Sequence, residues 1–330
     1  MKQSIIYKTK KTEYGITNLG NDKCFYKKSD YIDNELNGYN MIKDLYNVPS
    51  IIKRDIDVIY YEYKKELYKN TLHDCFYNKF IYHLDLKKIL FQYENNLKNI
   101  IKIEEKYSRN SVYFKDKVNE LKHIAKDDIV YSKFKYRDNI VCIKDILKET
   151  IAFLSHPKMI NCYLTQGNPT DTNIGINGMI GDFESAGYNS ILGEISICLV
   201  SFLTHGSYFY PKYLKENYQH RKKMVYKYYK YEPKISYSRK HDYILLNSVI
   251  FNVPNGNRKF LKKYLEMYNN NLNYEQKDEL NKYLKYYLIT KLFTSLKFDH
   301  LERDDKFYIL SYVVYVYLSV NSLDDLLSSL

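Results

Sequence analysis

The sequence predicts an α+β fold with two lobes: a small antiparallel β-sheet at the N terminus, followed by a larger and mainly helical part. Three short runs that favour strands fall before residue 30, and apolar residues recur at helical spacing from residue 67 onward. The chain has 330 residues, more than most single hydrophobic cores support. We therefore expect two domains, residues 1–64 and residues 65–330.

The N-terminal sheet is predicted from runs of β-branched and aromatic residues bounded by turn formers. These runs are 4–8, 14–19, 23–29 and 58–63. Gly20, Asn21 and Asp22 separate the second run from the third, which favours an antiparallel hairpin. The fourth run would end at the connection between the two lobes, near Lys64 and Lys65.

Helices are predicted where apolar residues recur at steps of three and four. The first is expected over 34–46, directly after the third strand. The region 67–154 has mainly the same character, and another helix is expected over 191–203, after a turn at 186–189. The remainder of the chain is also predicted to be helical, so the larger lobe is expected to consist mainly of helices.

The most specific pattern lies in the segment 166–184. Asn177-Gly178 stands between two short apolar runs, which predicts a two-residue type I′ hairpin turn. With that turn, Ile174 pairs with Gly181, and Asn173 lies opposite Asp182 at the open end, with Cβ atoms about 4.5–5.5 Å apart. An amide oxygen and a carboxylate at that distance suit Mg²⁺ that also holds phosphates. The alternative is an ordinary polar end of a hairpin.

The same segment resembles the catalytic segment of the aminoglycoside phosphotransferase and choline kinase family, which is related to the protein kinases. The family pattern is His-Gly-Asp, four residues, Asn, and a short hairpin that ends in Ile-Asp-Phe/Trp-Glu. The matching residues are Gly167, Asn173, Ile180, Asp182, Phe183 and Glu184. The resemblance implies a protein-kinase-like fold, ATP or GTP as co-substrate, and Mg²⁺ bound by Asn173 and Asp182.

Two positions of this segment depart from the family pattern. Gln166 stands in place of the histidine, and Asn168 in place of the catalytic aspartate. An amide cannot accept a proton, but its oxygen can still orient the acceptor hydroxyl. Asp171, three residues later, is the second candidate for this catalytic role; alternatively it braces the loop that follows Pro169. Since a general base contributes about 10²–10⁴-fold, its loss would slow phosphoryl transfer without preventing it.

The resemblance also implies a nucleotide site in the N-terminal lobe. Kinases need a lysine on the third strand and a helix glutamate that holds it. We assign these roles to Lys27, with Lys28 as the alternative, and to Glu35 in the first turn of the predicted helix. Both assignments have structural alternatives, namely a solvated strand lysine and a glutamate that favours the helix dipole. Backbone groups around Glu62 and Tyr63 would bind the adenine ring at the hinge.

Composition limits the kinds of partner. The net charge is +12, and residues 218–230 interleave tyrosine with lysine and arginine, as single-strand binders do. Because tyrosine, with 39 copies, and lysine are abundant throughout the chain, this mixture does not predict nucleic-acid binding. An acceptor with several positive charges would also meet an unfavourable average field.

The cysteines and the apolar runs favour a cytoplasmic protein. The five cysteines are scattered, odd in number and without zinc-finger spacing, which is typical of reduced thiols. No signal peptide is visible at the N terminus. The longest apolar region, 307–320, is shorter than the roughly 20 residues of a membrane span, and we interpret it as a core helix.

The sequence therefore predicts a phosphotransferase that moves a phosphoryl group from ATP or GTP to a hydroxyl. The acceptor would be a small molecule of the antibiotic, sugar or amino-alcohol class, or a serine or threonine of a peptide. The alternative is a pseudokinase that binds a nucleotide or a partner protein without catalysis. Gln166, Asn168 and the lack of a glycine-rich phosphate loop at 8–12 favour that alternative.

Overall fold

The chain is described here from a computed structural model, which covers residues 4–8, 11–68, 70–78, 84–213 and 231–329. Two stretches singled out above fall partly or wholly outside these residues. They are residues 9 and 10 of the segment expected in place of a phosphate loop, and the whole of the basic and aromatic run 218–230.

The N-terminal part is a five-stranded antiparallel sheet with the strand order β1-β2-β3-β5-β4. Its strands are β1 (Ser4–Lys8), β2 (Thr12–Leu19), β3 (Asp22–Ser29), β4 (Ile51–Arg54) and β5 (Val58–Glu62). Helix α1 (Ile32–Ile42) connects β3 to the strands at the far edge. The predicted strands and the helix after the third strand are thus present, and Gly20 at φ +62° forms the turn between β2 and β3.

The larger part is mainly helical. Its helices are α2 (Lys65–Tyr68), α3 (Leu72–Asn78), α4 (Leu86–Leu97), α5 (Arg109–Asp116), α6 (Val118–Ile124), α7 (Ile143–Ser155), α8 (Ile191–Val200), α9 (Tyr210–Tyr213), α10 (Asn255–Asn271), α11 (Tyr274–Thr294), α12 (Arg303–Ser319) and α13 (Leu323–Ser329). A π-helical stretch, Ser201–Phe209, continues α8. The predicted α+β fold class and the order of an antiparallel sheet followed by a larger helical part are confirmed.

Seven short strands in the helical part were not predicted. Three form an antiparallel sheet: β6 (Ile101–Glu104), β9 (Met159–Thr165) and β10 (Gly187–Ser190), with β9 in the centre. Four form a second sheet: β7 (Lys133–Tyr136), β8 (Asn139–Cys142), β11 (Lys234–Arg239) and β12 (Ile244–Ile250). The first of these sheets matters for the site, because β9 leads directly into the segment 166–184.

One continuous hydrophobic core extends from the sheet into the helices. It includes Ile59 and Tyr61 of β5, Tyr93 of α4 and Phe293 of α11. The apolar run 307–320 lies mostly in α12, whose side chains contribute to this core, as expected. No helix among the described residues is both long and apolar enough to cross a membrane. The division into domains 1–64 and 65–330 stays a prediction.

Helix α1 lies directly against the segment that follows the hairpin. A Cβ atom at Gly38 would meet the carbonyl oxygen of Phe183 at 1.9 Å. Only glycine fits there without movement of one of the two backbones. This contact brings Glu35, one turn earlier on the same helix, next to residues 182–184.

Candidate active site

The hairpin of the segment 166–184 has a longer loop than predicted. The amide of Gly175 donates to the carbonyl of Met179 at 2.7 Å, and Ile174 pairs with Ile180 rather than with Gly181. Gly178 adopts φ +80°, so three residues, 176–178, form the loop. An Asn-Gly signal fixes where the chain turns, but a three-residue loop that ends in a left-handed glycine also satisfies it.

In the shifted register the amide of Gly181 donates to the carbonyl of Asn173 at 3.0 Å, and Asp182, the next residue, still lies beside Asn173. The amide nitrogen Nδ2 of Asn173 lies 3.3 Å from Oδ2 of Asp182. Asp182 has φ +63°, a left-handed conformation that is uncommon for residues other than glycine, although aspartate is enriched in it. This local turn directs the carboxylate toward Asn173 and toward the sheet.

Lys27 of β3 reaches that carboxylate from the other side. Its Nζ lies 2.6 Å from Oδ1 of Asp182 and 2.8 Å from Oε2 of Glu35, with Glu184 at 3.8 Å. The lysine side chain is only 7% exposed. Lys28, the alternative, is on the surface and pairs with Asp57 at 2.8 Å. Of the two lysines, Lys27 is therefore the one that the sheet directs into the site.

Glu35 connects α1 to both the sheet and the hairpin segment. Its side chain is 1% exposed and accepts three hydrogen bonds: from Lys27, from the hydroxyl of Tyr61 at 2.9 Å, and from the backbone amide of Phe183 at 3.0 Å. The ring of Phe183 packs edge-on against Tyr39 of α1 at 5.3 Å. Glu35 therefore fixes the residue next to Asp182 as well as the lysine.

The charges in this cluster stabilise one another. Burial disfavours the charged form of Lys27, but the carboxylates of Asp182 and Glu35 outweigh it and raise the lysine pKa above its ordinary value. Burial likewise acts to raise the pKa of Asp182, yet Lys27 and the two asparagine amides bring that pKa below its usual range. At neutral pH the site therefore holds the ammonium group of Lys27 beside the ionised carboxylate of Asp182.

Asn168 also contacts Asp182. Its amide nitrogen donates to Oδ2 of Asp182 at 3.0 Å, and the amide of Asn173 donates to the backbone oxygen of Asn168 at 3.1 Å. The structure thus brings together five of the residues that the sequence marks as functional: Lys27, Glu35, Asn168, Asn173 and Asp182.

Asp171 points away from this cluster. Its carboxylate is buried, lies 2.7 Å from Nδ1 of His73 and accepts a hydrogen bond from the hydroxyl of Ser201 at 3.3 Å. Its backbone oxygen accepts a hydrogen bond from the amide of His73 at 2.9 Å. This placement matches the loop-bracing alternative, with α3 as the element against which the loop is braced.

Glu62 and Tyr63 lie at the end of β5, where the chain passes from the sheet into α2. The carboxylate of Glu62 pairs with Lys64, and its backbone amide donates to Ser50 at 2.8 Å. The ring of Tyr63 lies under Nζ of Lys23 at 4.2 Å. The position between the sheet and the helices agrees with a hinge, and adenine binding there stays a prediction.

Gln166 has a structural part in the site that its sequence position did not reveal. It is fully buried, its Nε2 donates to the carbonyl of Gly181, and its Oε1 accepts a hydrogen bond from the hydroxyl of Tyr93 at 3.4 Å. A glutamine can thus tie the loop to the residue before Asp182. No sequence pattern marks Arg109, which donates to the carbonyl of Glu184 at 3.0 Å and supports the same segment.

The residues around Asp182 fit a hard divalent cation. The side-chain oxygens of Asn168 and Asn173 accept no hydrogen bond from the described residues, and the carboxylate of Glu184 is half-buried nearby. Rotation of the side-chain amide of Asn173 by half a turn exchanges the positions of its nitrogen and oxygen. Asn173 then presents an oxygen, rather than an N–H donor, to a cation bound at Asp182. Carboxylate and amide oxygens are the ligands that Mg²⁺ prefers.

The structure is similar to the crystal structure of choline kinase from Cryptosporidium parvum Iowa II. The TM-score is 0.46 at 10% sequence identity, and the alignment covers 96% of this chain and 88% of that chain. No protein-family model matches the sequence, and no curated protein matches it. At this level of similarity, function has to be inferred from the geometry of the site itself.

A buried carboxyl group lies directly behind the loop. Glu194, in the first turn of α8, is fully buried and accepts a hydrogen bond from the hydroxyl of Thr165. Its second oxygen, Oε2, accepts no hydrogen bond from the described residues. Burial raises the pKa of Glu194 to about 7. The contact of Glu194 with Thr165, the residue just before Gln166, makes it a support of the loop.

This buried carboxyl predicts a stability that falls as the pH rises. The pKa of Glu194 in the folded protein lies above its ordinary value of 4.5. Protonated Glu194 therefore stabilises the fold fully below pH 4.5, and this stabilisation is lost as the pH rises through about 7. We expect wild-type unfolding free energy to lose about 3 kcal/mol over that window from this group. Glu194→Gln, which stays neutral, should remove this decline in urea titrations.

Glu275→Gln is the matched control, because Glu275 is an exposed residue in the first turn of another helix, α11. It should keep the decline of the wild type. A wild type whose stability is flat between pH 4.5 and 7, or a Glu194→Gln variant with the same slope, would contradict the assignment.

Proposed function

We propose that the protein transfers the γ-phosphoryl group of ATP or GTP to a hydroxyl group of a small molecule or a peptide. One observation carries this proposal: Lys27 on the third strand contacts both Glu35 of the next helix and Asp182 after the hairpin, at 2.8 and 2.6 Å. Phosphoryl transfer in kinases uses a strand lysine held by a helix glutamate, together with an aspartate and an asparagine for the metal ions.

Each residue has a role that follows from its place. Lys27 would hold the phosphates of the nucleotide, with Glu35 keeping its ammonium group in position. Asn173 and Asp182 would hold Mg²⁺, which, when bound, supplies positive charge that neutralises the phosphate oxygens. The side-chain oxygen of Asn168 would accept a hydrogen bond from the acceptor hydroxyl and orient it.

In the proposed reaction the hydroxyl oxygen forms a bond to the γ-phosphorus, and the bond to the bridging oxygen breaks. The nucleoside diphosphate leaves with that oxygen. Because the amide of Asn168 is not basic, the hydroxyl proton passes to solvent or to the transferred phosphoryl group. A loose transition state tolerates this, since positioning and charge stabilisation contribute most of the catalysis.

The acceptor class follows from charge. The chain carries a net charge of +12, so an acceptor with no more than one positive charge is favoured over a polycationic one. We therefore propose a sugar, an amino alcohol or a peptide hydroxyl ahead of an aminoglycoside antibiotic. All five cysteines are free thiols, which supports the proposal of a cytoplasmic protein.

The first prediction of this function is nucleotide binding that depends on magnesium. Calorimetric titration with ATP and with GTP should give saturable binding in the presence of Mg²⁺ and much weaker binding when EDTA replaces it. Asp182→Ala should abolish the Mg²⁺-dependent part, because it removes the charged ligand.

Asp57→Ala serves as the control in that titration. Asp57 also pairs with a lysine of β3, at 2.8 Å, but on the exposed side of the sheet, and its removal should leave binding unchanged. Absence of nucleotide binding in the wild type under all these conditions would contradict the proposed enzyme.

The pseudokinase alternative rests on Asn168 and makes a different prediction. If the site binds Mg²⁺ and nucleotide but lacks only a base, Asn168→Asp should increase nucleotide hydrolysis by about 10²–10⁴-fold. Asn168→Ala, which has neither a base nor an amide, should not. We would measure phosphate release with both nucleotides at saturating Mg²⁺.

An Asn168→Asp variant that binds nucleotide but gains no activity would favour the pseudokinase. The same substitution places a second carboxylate next to Asp182. The thermal unfolding midpoint of the variant should therefore be lower than that of the wild type in EDTA and should return toward the wild-type value in Mg²⁺. This second readout verifies that the new carboxylate faces the metal site.

A further inference from the structure

A tyrosine hydroxyl completes the hydrogen bonding of the helix glutamate. Tyr61 of β5 is 2% exposed, and its hydroxyl donates to Oε1 of Glu35 at 2.9 Å. The other oxygen of Glu35, Oε2, accepts from Lys27 and from the amide of Phe183. Among the described contacts of Glu35, the bond to Oε1 comes from Tyr61 alone.

Because each oxygen of Glu35 has its own donors, the hydroxyl of Tyr61 is important for the orientation of the carboxylate. Glu35 is 1% exposed, so water cannot readily replace a missing donor. A buried carboxylate oxygen that loses its donor carries the full cost of desolvation. Without the hydroxyl, Oε1 would have to turn toward another donor, and Oε2 would then leave Lys27 or Phe183.

The ring of Tyr61 lies where the N-terminal sheet, α1 and the segment after the hairpin meet. Its centroid is 6.5 Å from that of Phe25 on β3, 6.1 Å from that of Tyr39 on α1, and 5.9 Å from that of Phe183 beside Asp182. The ring thus holds the hydroxyl in place, while the hydroxyl holds Glu35.

We propose that Tyr61 is a positioning residue of the nucleotide site: its hydroxyl fixes the carboxylate of Glu35 so that Lys27 and the backbone of Phe183 keep the arrangement that receives the phosphates. Its role in nucleotide binding rests on the proposed function. The fixation of Glu35 and of the Phe183 amide belongs to the protein alone, so it can be measured without a nucleotide.

Tyr61→Phe removes the hydroxyl and keeps the ring, and Tyr26→Phe is its matched control. Tyr26 lies on the adjacent strand β3, is also 2% exposed, and donates its hydroxyl to a glutamate, Glu13, at 3.0 Å, away from Lys27. Both variants lose one phenol–carboxylate hydrogen bond from the same sheet. A difference between them therefore reports the position of the bond rather than its loss.

We expect Tyr61→Phe to weaken Mg²⁺-dependent ATP binding roughly tenfold, the size of one hydrogen bond to a charged group, whereas Tyr26→Phe should bind like the wild type. In nucleotide-free protein, hydrogen exchange of the Phe183 amide should be faster in Tyr61→Phe only. In a Glu35→Gln background, adding Tyr61→Phe should cause little further loss of binding, because Tyr61 acts through the carboxylate.

Equal binding by Tyr61→Phe and the wild type, with unchanged exchange at Phe183, would overturn the proposal. So would an equal loss in Tyr26→Phe, or a full additional loss in the Glu35→Gln background. Failure of the proposed function has a different signature: a wild type that binds no nucleotide, while faster exchange at Phe183 in Tyr61→Phe would still support the positioning of Glu35.

Discussion

The buried positive charge of Lys27 is the constraint on which the candidate site depends. An ammonium group removed from water costs several kcal/mol unless opposite charges surround it. Here those charges come from Glu35 on α1 and from Asp182, 155 residues away along the chain. Satisfying one charge therefore fixes the sheet, α1 and the segment after the hairpin relative to one another. The close approach of Gly38 to the backbone of Phe183 makes this convergence possible.

The neutral amide of Asn168 changes the balance of charge around Asp182. An aspartate there would set two carboxylates within about 3 Å of each other, a distance at which both resist ionisation. Asn168 instead donates to Asp182, as Asn173 does and as Lys27 does from the opposite side. The carboxylate is thus satisfied by the chain itself, and a cation has to replace these donors. An asparagine at position 168 therefore lacks a base but also stabilises the protein when no metal is bound.

The residues of the cluster were predicted because their order and spacing resemble the pattern of a known kinase family. It did not predict the loop length of the hairpin, since the Asn177-Gly178 pair marks a turn but not the number of residues in it. The contact of Asp171 with His73 spans 98 positions, and no local pattern records such a pairing. The contact of Tyr61 with Glu35 could not be predicted for another reason. Tyr61 is one of 39 tyrosines, and only the fold shows which hydroxyl reaches Glu35. The seven extra strands are four to seven residues long, too short for periodicity to distinguish them from helices.

A double-mutant cycle between Lys27 and Glu35 tests the central claim most directly. Unfolding free energies would be measured for Lys27→Met, Glu35→Gln and the double variant. If the buried ion pair holds the site together, each single change removes one charge from the buried cluster and costs about 3–5 kcal/mol, while the double change costs far less than the sum. Additive losses would contradict the account, since they would mean that Lys27 and Glu35 stabilise the protein independently.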